Sequence, residues 1–296
     1  MNSPEAPNAA AVSADFEFAA LHEALFYPRA IVEEFTPYLK GQVIEVGAGI
    51  GQLTALFAEK IGRENVQGIE PDAQFARLFR ERCPDIRLVE GTVSELPSNT
   101  ACDTIVSVNV MEHIRDHVEE MTRYRNLLAP RKGHLCILTP ARPEIYARID
   151  KDFGHFRRYT KSSIQEALAS AGFIPKKIFY FNFPGYFVWL LNFKILKSRS
   201  FNPLMVKFYD RTVFRIAHAL ERNVARPPVG QSIIATPKLT DAPERHSTFY
   251  PIQSAGILRG FSGGDVGSKN FGSTGYPAKC VLSLSIHGPC GKWHSR

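Results

Sequence analysis

Val43-Ile44-Glu45-Val46-Gly47-Ala48-Gly49-Ile50-Gly51 is the stretch that decides how this chain folds. A short apolar run leads into three glycines at alternate positions, and a helical pattern starts at Gln52. That order is a buried strand, a tight turn and a helix. Glycine lets the backbone turn sharply and lets a ligand approach with no Cβ in the way. The helix start leaves backbone N–H groups unpaired.

The same alternation extends outward. Strands are predicted at Gln42–Val46, Val66–Ile69, Ile86–Glu90, Cys102–Val108, His134–Thr139, Pro175–Phe181 and Ser232–Thr236. Helices are predicted at Gln52–Ile61, Asp72–Arg82, Arg115–Leu128 and Ser162–Ala171, the last ended by Gly172. One or two more fill Phe16–Leu39, the second started by Pro28 and ended by Gly41. Strands apolar on both faces and separated by helices predict an α/β fold: a doubly wound, mostly parallel, seven-stranded sheet. The predicted organisation is a helical segment over 1–40, one domain over 41–238 with a cap over 182–230, and a tail over 239–296. The tail holds nine of the 21 glycines and many serines, a composition that suits a disordered extension.

Bulk composition excludes little. The 296 residues carry 44% hydrophobic and 22% charged side chains, an ordinary globular balance. The net charge is +7, and the tail supplies +3 of it from six bases and three acids. Five scattered cysteines without a CxxC pair point to a reducing, cytoplasmic compartment. Residues 1–15 lack the pattern of a signal peptide, and no apolar stretch of about 18 residues predicts a spanning helix.

The glycine spacing discriminates between ligands. A dinucleotide fingerprint is GxGxxG; counted from Gly47, the third glycine falls at Gln52, so the pattern here is GxGxG. This argues against a nicotinamide-dependent oxidoreductase. Glu45 stands just before the loop, where a carboxylate repels a pyrophosphate and suits the cationic ammonium group of S-adenosylmethionine. Glu70 lies 19 residues past Gly51 at a strand end, placed to accept hydrogen bonds from ribose hydroxyls.

Taken in order, Glu45–Gly51, Gly68-Ile69-Glu70-Pro71, Glu90-Gly91-Thr92 to Leu96-Pro97 and Asp103-Thr104-Ile105-Val106 resemble the motif series of class I S-adenosylmethionine-dependent methyltransferases. The resemblance covers roughly residues 28–237 and implies the Rossmann-like fold of that family. It implies a cofactor site at Glu45, Gly47, Ala48, Gly49, Gly51, Glu70, Pro71, Thr92, Val93 and Asn109. In the family an acidic side chain often clamps the adenine at the position that Thr92 holds here. Asn109 is expected beside the sulfonium.

The acceptor side is read from two segments. Glu112 and His113, after the fourth strand, are candidates to orient or deprotonate an acceptor, against the plainer role of capping the next helix. Asp152-Phe153-Gly154-His155-Phe156-Arg157-Arg158-Tyr159-Thr160 resembles a segment that covers the acceptor in a subgroup of the family. It offers His155 as a base and Arg157, Arg158 and Tyr159 as substrate contacts, against an exposed basic loop. Glu112, His113 and His155 also resemble the ligands of small-RNA 2′-O-methyltransferases, which hold a divalent ion with an ExxEH string and a later histidine. Asn109 replaces the first acid of that string, so no metal is expected.

Seven of the eleven residues Phe179–Trp189 are aromatic, too many for a solvated loop. With Lys194, Lys197, Lys207, Arg211 and Arg215 following, this aromatic-rich insertion before the last strand is expected to be a helical cap over a bulky acceptor. The same pattern suits peripheral contact with a membrane that carries a lipid-linked or glycan acceptor. Nucleic acid is not expected, because no RNA-binding module or long basic run is present. The expected activity is methyl transfer to a small molecule, at oxygen in preference to nitrogen or carbon.

Overall fold

The computed structural model describes residues 24–198 and 202–239. In chain order its main elements are α1 (Phe26–Phe35), β1 (Val43–Val46), α2 (Gln52–Ile61), β2 (Val66–Glu70), α3 (Ala73–Arg82), β3 (Arg87–Glu90), β4 (Thr104–Val108) and α4 (His117–Leu128). There follow β5 (His134–Pro140), α5 (Arg148–Asp152), α6 (Lys161–Ser170), β6 (Phe173–Phe181), α7 (Phe183–Trp189), α8 (Pro203–Phe208), α9 (Arg215–Asn223) and β7 (Ser232–Leu239).

Capping side chains set the helix starts. Asp72 accepts from the N–H groups of Gln74 and Phe75, which makes it the cap of α3 and not its first residue. Asp116 accepts from Glu119 N–H, so α4 starts at His117, two residues later than expected. Thr160 accepts from Ser163 N–H and starts α6 at Lys161. Each cap stabilises its helix by about 1 kcal/mol.

The start of α1 is a correction. Pro28 lies inside the first turn, and the helix begins at Phe26. Its free amides are capped from far away: Asp210 accepts from Leu25, Phe26 and Tyr27 N–H at 2.7, 2.9 and 2.8 Å. A pattern read along the chain carries no trace of such a cap. The part of the predicted helical region before residue 24 lies outside the described residues, as does the tail from 240 onward.

The seven strands lie in the order β3-β2-β1-β4-β5-β7-β6. β3, β2, β1, β4 and β5 pair in parallel. β7 is antiparallel to both β5 and β6. This is the mostly parallel, doubly wound sheet that the sequence predicts. The central strand shows why: neighbours Ile105 and Val106 are both fully buried yet belong to different core clusters. Ile105 joins Met121, Tyr124 and Leu128 on one face. Val106 joins Phe35, Phe57, Phe79 and Phe214 on the other. Burying each such side chain contributes roughly 1.5–3 kcal/mol.

The chain winds outward from β1 to β3 and then returns to β4 on the other side of β1. A crevice therefore opens at the carboxyl ends of β1 and β4, where an open α/β sheet binds its ligands. Beyond β6, α7 continues through a π-helical stretch, Leu190–Ile195. A second π-helical stretch, Tyr209–Phe214, joins α8 to α9. Glu221 of α9 accepts from Asn182 and Phe183 N–H at 3.1 and 2.7 Å, fixing the start of α7 to the last cap helix. Among the described residues no helix is long and apolar enough to cross a membrane.

Candidate active site

The glycine loop leaves β1 with positive φ at Gly47, Gly49 and Gly51 (73°, 54° and 78°). At Gly47 a Cβ would stand 2.4 Å from Val110 Cγ2, so only glycine lets the segment after β4 close against the loop. The loop is also held to the end of β2. Gly47 and Ala48 N–H both donate to Ile69 O at 2.9 and 3.0 Å. Gly49 N–H donates to Glu70 Oε2 at 2.7 Å, and Gly51 N–H to Ala48 O at 2.9 Å. These four amides are directed inward, so they do not form the anion cradle that a pyrophosphate needs.

Two buried carboxylic acids flank this loop. Burial pushes Glu45 up to about 8, opposed by the Thr54 hydroxyl that donates to it and reinforced by Glu70. Burial raises Glu70 to about 6, opposed by the N–H groups of Asp72 and Gly49. A cation that approaches favours the ionised form of such groups. A ligand with an ammonium group, a sulfonium and ribose hydroxyls therefore fits this donor set, and a dinucleotide phosphate does not.

The other predicted cofactor residues gather at neighbouring strand ends. Pro71 follows β2, Thr92 and Val93 follow β3, and Asn109 follows β4 with φ 54° and its N–H on Leu138 O at 2.9 Å. Thr92 caps a short turn: its N–H donates to Glu95 Oε2 at 2.6 Å, and its hydroxyl bonds the same carboxylate. This loop thus carries an acid, Glu95, three residues beyond the position where the resemblance puts one. The hydrogen bond from Thr92 holds the Glu95 carboxyl below its usual range.

The acceptor side joins two distant segments. Glu112 and His113 sit on a single 3-10 turn, Met111–His113, just after β4. Phe156 N–H donates to Glu112 O at 2.8 Å and brings the loop after α5 against that turn. The rings of His113 and His155 then meet edge to face, 4.7 Å apart. Side-chain donor atoms of Glu112, His113 and His155 all lie within 4.8 Å of one another.

His155 has a fixed orientation. Its Nδ1 stands 3.1 Å from Asp150 Oδ1. Asp150 is held below its usual carboxylate range: burial pushes it up, but the His155 hydrogen bond and Arg158 outweigh that. An ionised carboxylate only accepts, so Nδ1 carries the proton and Nε2 keeps its lone pair. Burial lowers His155, with Asp150 opposing. Burial, and then His155, depress His113 to about 3. Both imidazoles are therefore neutral at physiological pH, which suits them to take a proton or to ligate a metal.

Arg157, Arg158 and Tyr159 are brought to the same loop but have protein partners. Arg157 donates to Ile114 O and Arg115 O, both at 2.8 Å. Arg158 is buried over the Trp189 ring and donates to Asp150 Oδ1 at 2.7 Å and Ala141 O at 3.1 Å. The Tyr159 hydroxyl is buried against Met111 O at 3.2 Å and His117 Nδ1 at 3.1 Å, and burial raises its pKa. Here these three brace the loop that carries His155.

Three residues bonded to the candidate site escape the sequence reading. The Glu95 signal was present, because Thr92-x-x-Glu95 is a capping box. Thr54 lies one helical turn past the loop, where a hydroxyl facing back to β1 has no distinctive signature. Asp150 is the largest omission. Its only sequence signal is an acid five residues before a histidine, in a stretch with no periodicity.

A family model described as a methyltransferase domain matches residues 21–175. Trans-aconitate 2-methyltransferase from Afipia carboxidovorans is 27% identical over 99 residues, covering 33% of this chain and 38% of that protein. The enzyme of the same name from Deinococcus radiodurans is 28% identical over 114 residues, covering 38% and 42%. The matched stretch thus spans less than half the length of these relatives. Among solved structures, a Thermotoga maritima protein described as a SAM-dependent methyltransferase and possible histamine N-methyltransferase superposes with a TM-score of 0.50 at 15% identity, over 76% of this chain and 93% of that one. A putative methyltransferase of Haloferax volcanii, solved with a methyltransferase activator, gives 0.51 at 13% identity over 79% and 95%. At these identities the structural likeness speaks for the fold alone.

Proposed function

Because the chain belongs to the methyltransferase family, an assignment that rests on a match to more than half its length, we propose that it transfers the methyl group of S-adenosylmethionine to an oxygen of a small-molecule acceptor. One observation supports this reading: two buried carboxyl groups, Glu45 and Glu70, flank an inward-bonded glycine loop at the carboxyl ends of β1 and β2, and the turn that follows the neighbouring β4 carries Glu112 and His113 beside His155.

The cofactor supplies an electrophilic methyl group on a sulfonium, so the protein needs no nucleophile of its own. Glu45 favours the cationic end, and Glu70 has a free lone pair on each oxygen for the ribose hydroxyls. Glu70 also sets the shape of Gly49. Val110 and Asn109 shape the place between cofactor and acceptor. The lone pair on His155 Nε2 takes the proton of the acceptor hydroxyl as the new C–O bond forms and the C–S bond breaks. The methyl donor, when bound, would depart as a neutral thioether, which keeps the charge balanced. Asp150 steadies the imidazolium that results. A positioned base of this kind contributes roughly 10²–10⁴-fold, and alignment up to ~7–11 kcal/mol in ideal cases.

The test is a turnover assay that reads S-adenosylhomocysteine release over a panel of hydroxyl, carboxyl and amine acceptors. Release with oxygen acceptors supports the reading, and release with amines alone refutes the choice of atom.

A second reading places the acceptor at a membrane surface. Among the described residues, thirteen of the sixteen exposed large hydrophobic side chains lie between Phe183 and Val224. The acids of that span, Asp210 and Glu221, are both buried on backbone amides, which leaves only bases among its exposed charges. An exposed apolar face rimmed by bases suits an anionic bilayer. Sedimentation with phosphatidylglycerol vesicles but not phosphatidylcholine vesicles supports it; sedimentation with neither refutes it.

A further inference from the structure

We infer that Glu112, His113 and His155 form a binding site for one divalent transition-metal ion on the acceptor side of the crevice. This inference rests on the acceptor-side reading above and, with an ion bound, would replace its proton step: His155 Nε2 would hold the ion, and the ion would favour loss of the acceptor proton to water.

The donor set comes first. One carboxylate and two imidazoles, each offering one ligand atom, lie within 4.8 Å of one another. No other such group occurs among the described residues. Two nitrogens and an oxygen suit zinc, manganese, iron, cobalt or nickel better than magnesium or calcium, which favour all-oxygen sets. Ligands ~2.1 Å from a common ion stand about 3.4 Å apart in tetrahedral geometry. Closing from 4.8 Å to that spacing requires shifts of about 1 Å, which small side-chain rotations supply. Three protein ligands leave at least one position open, the arrangement of catalytic and not of structural sites. An acceptor oxygen would take that position.

The outer contacts are the second line. A metal-binding histidine usually donates its other ring N–H to a carboxylate, which fixes the tautomer and aims the free nitrogen. His155 does so through Nδ1 to Asp150 Oδ1. Asp150 is itself immobilised by Arg158 Nε at 2.7 Å and Ala147 N–H at 2.8 Å. A base would need one such contact. The buried Arg158, stacked at 4.4 Å over Trp189, adds a rigid brace that a ligand shell requires. Phe156 N–H on Glu112 O ties the two ligand-bearing segments together. Asn109 departs from an ExxEH string, yet the geometry assembles its three donors without the first acid.

The experiment uses the full chain, freed of metal by a chelator, titrated with Co(II) in the absence of any S-adenosyl compound. The visible bands of Co(II) bound to imidazole should rise to one equivalent and disappear when Zn(II) is added. His113→Gln should abolish the bands. Asp150→Asn, which keeps all three ligands, should weaken Co(II) binding by ~10–100-fold. His134→Gln, on β5 away from the cluster, should leave the spectrum unchanged. Circular dichroism confirms that each variant is folded. Absence of bands in the native protein overturns the inference. So does unchanged binding in folded His113→Gln or His155→Gln. Either failure leaves the methyl-transfer reading standing, because S-adenosylhomocysteine binding tests that separately.

Discussion

On the cofactor side, around Gly47 and Glu70, the contacts that shape the site are short in sequence: Thr54 bonds Glu45 nine residues away, and Gly49 bonds Glu70 across 21. On the acceptor side the contacts that join its separate segments are long. Arg157 reaches Ile114 across 43 residues, Tyr159 reaches Met111 across 48, and Asp210 caps the first helix from 185 residues away. The first region is a series of strand ends that the parallel sheet sets side by side. The second exists only after α5, α6 and the cap have docked. One region can therefore be damaged without harming the other, and that separation is open to test.

The largest expected effect is on the acceptor side. His155→Gln should lower turnover by roughly 10²–10⁴-fold while calorimetry finds S-adenosylhomocysteine affinity within about twofold of native. A parallel loss of affinity would show that the two regions are one unit. On the cofactor side, Glu70→Ala removes the proposed acceptor of the two ribose hydroxyls and the anchor of Gly49. Hydrogen bonds to charged groups contribute about 1.5–3 kcal/mol each, so affinity should fall about 100-fold or more. An unchanged dissociation constant would refute the cofactor assignment.

How much of this was legible follows from the same contrast. Every strand was readable to within three residues, the end of β7 being the furthest off, because a core strand covered on both faces shows a short continuous apolar run. The placement of Glu45, the glycines and Glu70 at neighbouring strand ends was readable because a strand, a glycine turn and a helix start follow one another at short fixed offsets. Glu112, His113 and His155 were readable as candidates and grouped by the ExxEH resemblance, but no periodicity or spacing along the chain showed that they meet. Asp150, which orients His155, was missed because a single acid in a short irregular stretch has no period and no partner nearby. The long-range cap on α1 was missed for the same reason, and its start was misplaced at Pro28.

A subtler effect sharpens the cofactor side. Folded Glu45 keeps its proton up to about pH 8, whereas the unfolded chain ionises it in the ordinary carboxylate range. The stability carried by the neutral form is fully present below that range and is lost as pH rises through about 8. Melting of the ligand-free protein should therefore drop between pH 5 and pH 8, and Glu45→Gln should flatten the drop. A cationic ligand that favours the ionised acid should bind more tightly over the same interval. A pH-independent affinity would separate Glu45 from the ligand. The smallest effect belongs to Tyr159→Phe. If Tyr159 braces the loop and does not touch the acceptor, the loss should be about 1 kcal/mol of stability with turnover within a few fold. A collapse of turnover in a folded variant would move Tyr159 into the site.

One measurement bears on the central claim most directly: calorimetric titration of the full native chain with S-adenosylhomocysteine, with NAD as the comparison ligand. Saturable binding of one equivalent of S-adenosylhomocysteine, and none of NAD, is the predicted result. No heat with S-adenosylhomocysteine, or tighter binding of NAD, would contradict the account of the Glu45–Gly51 loop and Glu70.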